Sequence, residues 1–183
     1  MTDILTYHVL ALSGGGYRSL YTAAVLAELE TALGRPIASY FDLICGTSAG
    51  GMLALGLAAE IPAQELKALF ENEGSLDRGF GKWRGGLFGL VISAQESSVD
   101  YMLRQSLGAN YYQIDDKATP DQSKDVKALD RVSIGATNTL KDRGNHAAQR
   151  ALGDPLFQPF RVHQAGTPPF YHGPNKNVLE ATC

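Results

Sequence analysis

Hydrophobic positions change period several times along the chain. From Tyr7 to Leu12 (YHVLAL) they run almost unbroken and stop at Ser13-Gly14-Gly15-Gly16. A short apolar run closed by glycine predicts a buried strand that ends in a glycine loop. From Arg18 the spacing becomes helical. Leu20, Ala23, Ala24 and Ala27 form one row, and Val25, Leu26, Leu29 and Leu33 form another. Two overlapping rows predict a helix buried over much of its surface. Gly34 suits the residue just past its C-terminus, and Pro36 prevents continuation. Tyr40 to Cys45 (YFDLIC) predicts a second strand, and Ala49 to Ala59 a tightly packed helix of small residues. Pro62 suits the first turn of another helix, reaching about Glu73.

Beyond Gly74 the pattern is weaker. Phe80, Trp83 and Phe88 alternate with glycines and basic residues, and packing beneath a glycine-rich loop explains them better than a lipid-touching lip. Glu96 to Leu107 predicts a helix, and Asp115 to Lys127 a charged loop. Arg131 to Thr137 (RVSIGAT) and Phe157 to Val162 (FQPFRV) read as strands. Asn177-Val-Leu-Glu180 resembles a capping box, so a helix is expected to begin there and to be cut short at Cys183.

Strand, glycine loop, helix, strand, glycine turn, helix is the order of an α/β fold. The expectation is a parallel-dominated sheet with helices on both faces, in three layers, truncated at its C-terminus. No repeat or linker divides the 183 residues, so one incomplete domain is expected. The net charge of -3 argues against a nucleic-acid partner. Two cysteines, Cys45 and Cys183, cannot build a disulfide framework, and Cys45 reads as a buried apolar residue. The N-terminus lacks the basic residues of a signal peptide, and Leu43–Ala59 is too short and glycine-rich to span a bilayer. A cytoplasmic protein is expected.

The chemistry lies in two glycine motifs. Gly46-Thr47-Ser48-Ala49-Gly50 matches G-x-S-x-G. A sharp turn between strand and helix lifts the serine hydroxyl clear of the backbone, and the crowding there demands glycine on either side. The following helix aims its N–H groups and the positive end of its dipole at the same place. The N–H of Ala49, next after the serine, belongs to that set. Gly14-Gly15-Gly16-Tyr17-Arg18 can add backbone donors to one anionic oxygen. In a parallel sheet both loops lie at the same edge.

GGGYR followed about thirty residues later by FDLICGTSAGG resembles the patatin-like phospholipase family. The resemblance is close from residue 8 to about residue 72. It implies a lipid acyl hydrolase that works through an acyl-serine intermediate with a Ser–Asp dyad and acts on lipid at a membrane surface. It implies Ser48 as nucleophile, Gly14, Gly15 and Gly16 as oxyanion donors, and Arg18 as a brace for the loop. The GGGYR form is similar to that of bacterial members switched on by cyclic dinucleotides, which implies such an activator. Ser19 stands where the family carries its last motif glycine. The family's aspartate lies in an Asp-Gly-Gly or Asp-Gly-Ala motif, and this sequence contains no Asp-Gly pair. Asp42 belongs to the strand leading to Ser48 and is not free to act as the base. Little or no turnover is therefore expected of this chain alone.

Two other readings stand beside this one. The chain is then an inactive fragment or regulatory module of the same fold, or a nucleotide-binding α/β protein using the Gly14–Gly16 loop. For the latter the third glycine of G-x-G-x-x-G is missing, and Glu28 and Glu30 fall inside the helix. His146, His163 and His172 follow Ser48, but a hydrolase with a Ser–Asp–His triad places several strands before its nucleophile. They are expected to be surface or loop residues. No metal-ligand cluster or cofactor motif is present in the sequence.

Overall fold

The computed structural model describes residues 6–73, 99–116, 119 and 133–167. The segment holding Phe80, Trp83 and Phe88, the capping box at Asn177, and His172 and Cys183 lie outside these residues.

Strand β1 (Val9–Leu12) and strand β2 (Leu43–Gly46) pair in parallel, with Val9 opposite Leu43 and Leu12 opposite Gly46. Helix α1 (Ser19–Leu33) connects them, so the start of the chain is a β-α-β unit. The α/β expectation with a parallel sheet is met. Both strands begin two or three residues later than the sequence suggests, and for β2 the reason is a 3-10 turn at Ile37–Tyr40. Helix α2 (Ala49–Ala58) follows the Ser48 turn, and α3 (Ala63–Glu73) follows Pro62. Gly34 ends α1 in a left-handed conformation (φ 73°), and its N–H donates to Glu30 O at 3.0 Å. Glycine adopts that conformation without steric cost.

Residues 99–107 are helical (α4), as expected. Two predicted strands are helical instead. Arg131 and Val132 of RVSIGAT lie outside the described residues, and Ile134–Thr137 opens α5 (Ile134–Gly153), where the Ser133 hydroxyl accepts from the Ala136 N–H at 3.1 Å. Downstream, Ala136, Leu140, Gly144, Ala147, Ala148 and Ala151 are buried at helical spacing. That long stripe and the cap override the local strand preference of Ile134. FQPFRV forms the end of a 3-10 turn (Pro155–Phe157) and helix α6 (Gln158–Val162). Asp154 caps the turn, and Pro155 and Pro159 occupy first-turn positions that suit a helix start.

The core gathers Leu12 from β1, Val25, Leu26 and Leu29 from α1, Leu53 and Leu57 from α2, Leu66 from α3, the α5 alanines and Phe157. Leu10 and Ile44 pack against it from the strands. The alternate strand positions face away, and Val9 and Leu43 are 46% and 47% exposed. Cys45 shares that side of β2 and is exposed, which corrects its expected burial. Where α1 crosses α5 the helices approach closely. A Cβ on Gly144 would sit 2.7 Å from both Ala24 Cβ and Tyr21 O. Among the described residues, no helix is long and apolar enough to cross a membrane.

Candidate active site

The two glycine motifs meet at the C-terminal edge of the strand pair. Past the last strand residues, the Thr47 N–H donates to Leu12 O at 3.1 Å, which carries the pairing into the turn. The Gly14 N–H then donates to Thr47 Oγ1 at 3.1 Å. A Cβ on Gly14 would lie 2.7 Å from Ser48 Cβ and would overlap Thr47 O. The first glycine of the loop is thus in contact with the serine turn, and only a residue without a side chain fits.

Ser48 has φ 52° and ψ -128°. A side chain at positive φ in this region is strained by about 1–3 kcal/mol, and such strain concentrates at functional positions. The turn is held by hydrogen bonds from Gly50 N–H to Thr47 O and from Gly51 N–H to Ser48 O, each 2.9 Å. Gly46 and Gly50 are required by packing. A Cβ on Gly46 would overlap Gly50 O, and one on Gly50 would overlap Leu12 O. The hydroxyl of Ser48 makes no capping bond to α2 and the residue is exposed. Ala49 opens α2 directly behind it.

In the glycine loop, Gly16 has φ 59° and begins a 3-10 turn, Gly16–Arg18, that leads into α1. Arg18 folds back over the loop. Its N–H donates to Gly15 O at 3.2 Å, and its guanidinium lies 3.4 to 3.5 Å from where a Gly15 Cβ would stand. The Gly15 N–H donates to Ser19 Oγ at 3.2 Å. Tyr17 Oη and Thr137 Oγ1 are 2.6 Å apart, which fastens the loop to the first turn of α5. Sequence reading named Gly14, Gly15, Gly16, Arg18, Gly46, Ser48, Ala49 and Gly50, and all eight lie in these two adjoining turns. It overlooked the Thr47 hydroxyl, although a threonine just before the nucleophile is a signal for such a bridge.

Asp42 stands at the other end of β2. Its Oδ2 accepts from the His8 N–H at 2.8 Å and from His163 Nε2 at 2.7 Å. The His8 N–H bond, and then the His163 bond, hold this carboxyl below the usual aspartate range. It is structural, as its place in the sequence suggested. His163 stacks on His8 with ring centroids 3.8 Å apart. It is therefore a half-buried loop residue that links two parts of the chain, while His146 is exposed on α5, in keeping with the surface or loop placement expected of both. Burial, and next the neighbouring His163, lower the pKa of His8. Among the described residues, no carboxylate or imidazole accepts a hydrogen bond from Ser48, and none form a group of three able to hold a metal. The Glu30 carboxylate is occupied by the N–H groups of Ile37 and Ala63, at 3.0 and 2.8 Å. It is not available to a nucleotide ribose.

Comparison with known proteins gives a consistent result. A cGAMP-activated phospholipase of Pseudomonas aeruginosa is 49% identical over 333 aligned positions, covering 100% of both chains. The expected C-terminal truncation is not shown by it. Phospholipase A I of Arabidopsis thaliana is 37% identical over 98 residues, 49% of this chain and 8% of that protein. A cUMP-AMP-activated phospholipase of Escherichia coli is 44% identical over 62 residues, 34% of this chain and 19% of that protein. No solved structure matches. The family model for patatin-like phospholipase matches residues 10–171, which spans both glycine turns and the helices behind them, and the chain belongs to that family.

Proposed function

We propose that this chain carries the nucleophile and oxyanion half of a phospholipid acyl hydrolase. The contact between Gly14 and Ser48, where two turns from separate strands meet beside the Ser48 side chain, is the observation that carries the reading. Ser48 Oγ attacks the ester carbonyl carbon. The carbonyl oxygen becomes an oxyanion, which backbone N–H groups of the glycine loop and of Ala49 stabilise. The C–O bond to the alcohol breaks, the alcohol leaves with a proton, and Ser48 is left acylated. Water then hydrolyses that ester and returns the proton to Ser48.

The step needs a base for the Ser48 proton. By family resemblance this is an aspartate in an Asp-Gly motif, and the sequence contains no Asp-Gly pair. Turnover by this chain alone is accordingly low or nil, and the second reading, a fold-retaining module without activity of its own, rests on that fact. Two relatives are named for activation by cGAMP and by cUMP-AMP. We extend that to a cyclic dinucleotide as activator here, in a cytoplasmic protein acting at a membrane surface.

A fluorophosphonate probe tests the reading. Labelling of the wild type but not of Ser48→Ala is expected, with acyl release from phospholipid vesicles weak or absent, with or without cGAMP. Equal labelling of both proteins removes Ser48 as nucleophile. Strong acyl release by this chain would show that a base is already present and would overturn the account of the missing aspartate.

A further inference from the structure

The oxyanion loop has N–H groups already in use. Gly14 donates to the Thr47 hydroxyl and Gly15 to the Ser19 hydroxyl, at 3.1 and 3.2 Å. Ser19 is the first residue of α1 and is 2% exposed, so water does not compete for its oxygen. The Gly15 carbonyl is meanwhile tied to the Arg18 N–H at 3.2 Å, which fixes the orientation of the residue from both sides. An N–H can serve an oxyanion only if it points to the place where that oxygen forms.

We propose that Ser19 is a positioning residue that sets the resting state of the oxyanion site by holding the Gly15 N–H in a neutral hydrogen bond. This rests on the reading of Ser48 as an acyl-transfer nucleophile. Ser19 occupies the position where a glycine in the motif would leave the Gly15 N–H unbonded. The competing acceptor in the reaction is charged, and charge-assisted hydrogen bonds are roughly twice as strong as neutral ones. The developing oxyanion therefore draws the N–H away from Ser19, and the reaction bears the cost of the bond that is given up. A single neutral hydrogen bond corresponds to about a three- to tenfold change in rate.

The test is the kinetics of fluorophosphonate labelling in the full chain, with wild type, Ser19→Ala and Ser19→Gly compared. The phosphonyl oxygen of the probe stands in for the oxyanion. Both variants are expected to label about three to ten times faster at saturating probe, with the half-saturating probe concentration unchanged. Amide hydrogen exchange gives a second readout. The Gly15 N–H should be protected in the wild type and exchange faster in both variants. Equal or slower labelling in both variants, or an unprotected Gly15 amide in the wild type, overturns the inference and leaves the hydrolase reading intact. Absence of labelling in all three proteins overturns the inference and favours the second reading, a fold-retaining module without its base.

Discussion

His163 Nε2 lies 2.7 Å from Asp42 Oδ2 and fastens the chain beyond α6 to the base of β2. The same oxygen accepts the His8 N–H at 2.8 Å, so one carboxylate joins the starts of both strands to a residue more than a hundred positions away. Arg35 supports the link through His163 O at 3.3 Å.

Acid should weaken this junction in two stages. His8 has a lowered pKa, so between 6.5 and its folded value the unfolded chain binds a proton that the folded one refuses. Stability rises with pH wherever the unfolded state holds more protons, so it falls as pH drops below 6.5. Asp42 is also depressed, and its contribution is present above 3.8 and lost as pH falls through the folded value. Denaturant unfolding across this range checks both stages. Asp42→Asn should lose about 1–2 kcal/mol at neutral pH. It should also show a flatter limb below 3.8. An acid limb identical to wild type would contradict this assignment.

Gly14→Ala should disable the serine turn. The added methyl would meet Ser48 Cβ at 2.7 Å and overlap a backbone oxygen, so either the loop or the elbow must move. Loss of one oxyanion donor costs roughly 3 kcal/mol, about a hundredfold in rate. Labelling of Ser48 should fall by about that factor. The overlap with the Thr47 carbonyl should also lower the denaturation midpoint, by the equivalent of about 1–3 kcal/mol. A labelling rate within twofold or so of wild type would show that the contact is dispensable.

The sequence discloses the two glycine turns better than the frame around them. Each site residue sits in a short local pattern, glycines with one serine, whose steric need is written in the pattern itself. Ser48 at positive φ and the overlap at Gly46 and Gly50 are what G-x-S-x-G demands. Helix α1 was equally plain, with Gly34 as its stop. RVSIGAT and FQPFRV misled because six or seven residues rich in branched and aromatic side chains look alike in strand and in helix. The cap at Ser133 and the first-turn prolines decided them, and those are one-residue signals. The burial of Cys45 was misjudged for another reason. Alternation along β2 fixes which side Cys45 shares with Leu43, but not whether anything covers that side.

Gly144→Ala tests the α1–α5 crossing, and two effects oppose each other. Alanine in a helix interior is favoured over glycine by about 1 kcal/mol. Here its Cβ would meet Ala24 Cβ and Tyr21 O at 2.7 Å, and overpacking costs typically about 1–3 kcal/mol. The oxygen is backbone and cannot rotate away, so the clash should win by about 1 kcal/mol or more. Thermal and denaturant unfolding should both show the loss. A more stable Gly144→Ala protein would mean that the two helices separate without penalty.

Glu30 provides the last test, because its carboxylate serves two backbone N–H groups that have no other acceptor. Ile37 and Ala63 are each 1% exposed, and their N–H groups lie 3.0 and 2.8 Å from the two carboxylate oxygens. Glu30 thereby caps α3 and fixes the turn that leads into β2 and on to Ser48. Replacement by alanine leaves both donors buried and unpaired, at about 2–4 kcal/mol in total. Glutamine keeps one oxygen and should lose roughly half of that. The graded series, wild type above Glu30→Gln above Glu30→Ala, should appear in the denaturant midpoint with an unchanged slope. If glutamine and alanine are equally destabilising, the charge of Glu30 and not its pair of acceptors is what the fold uses.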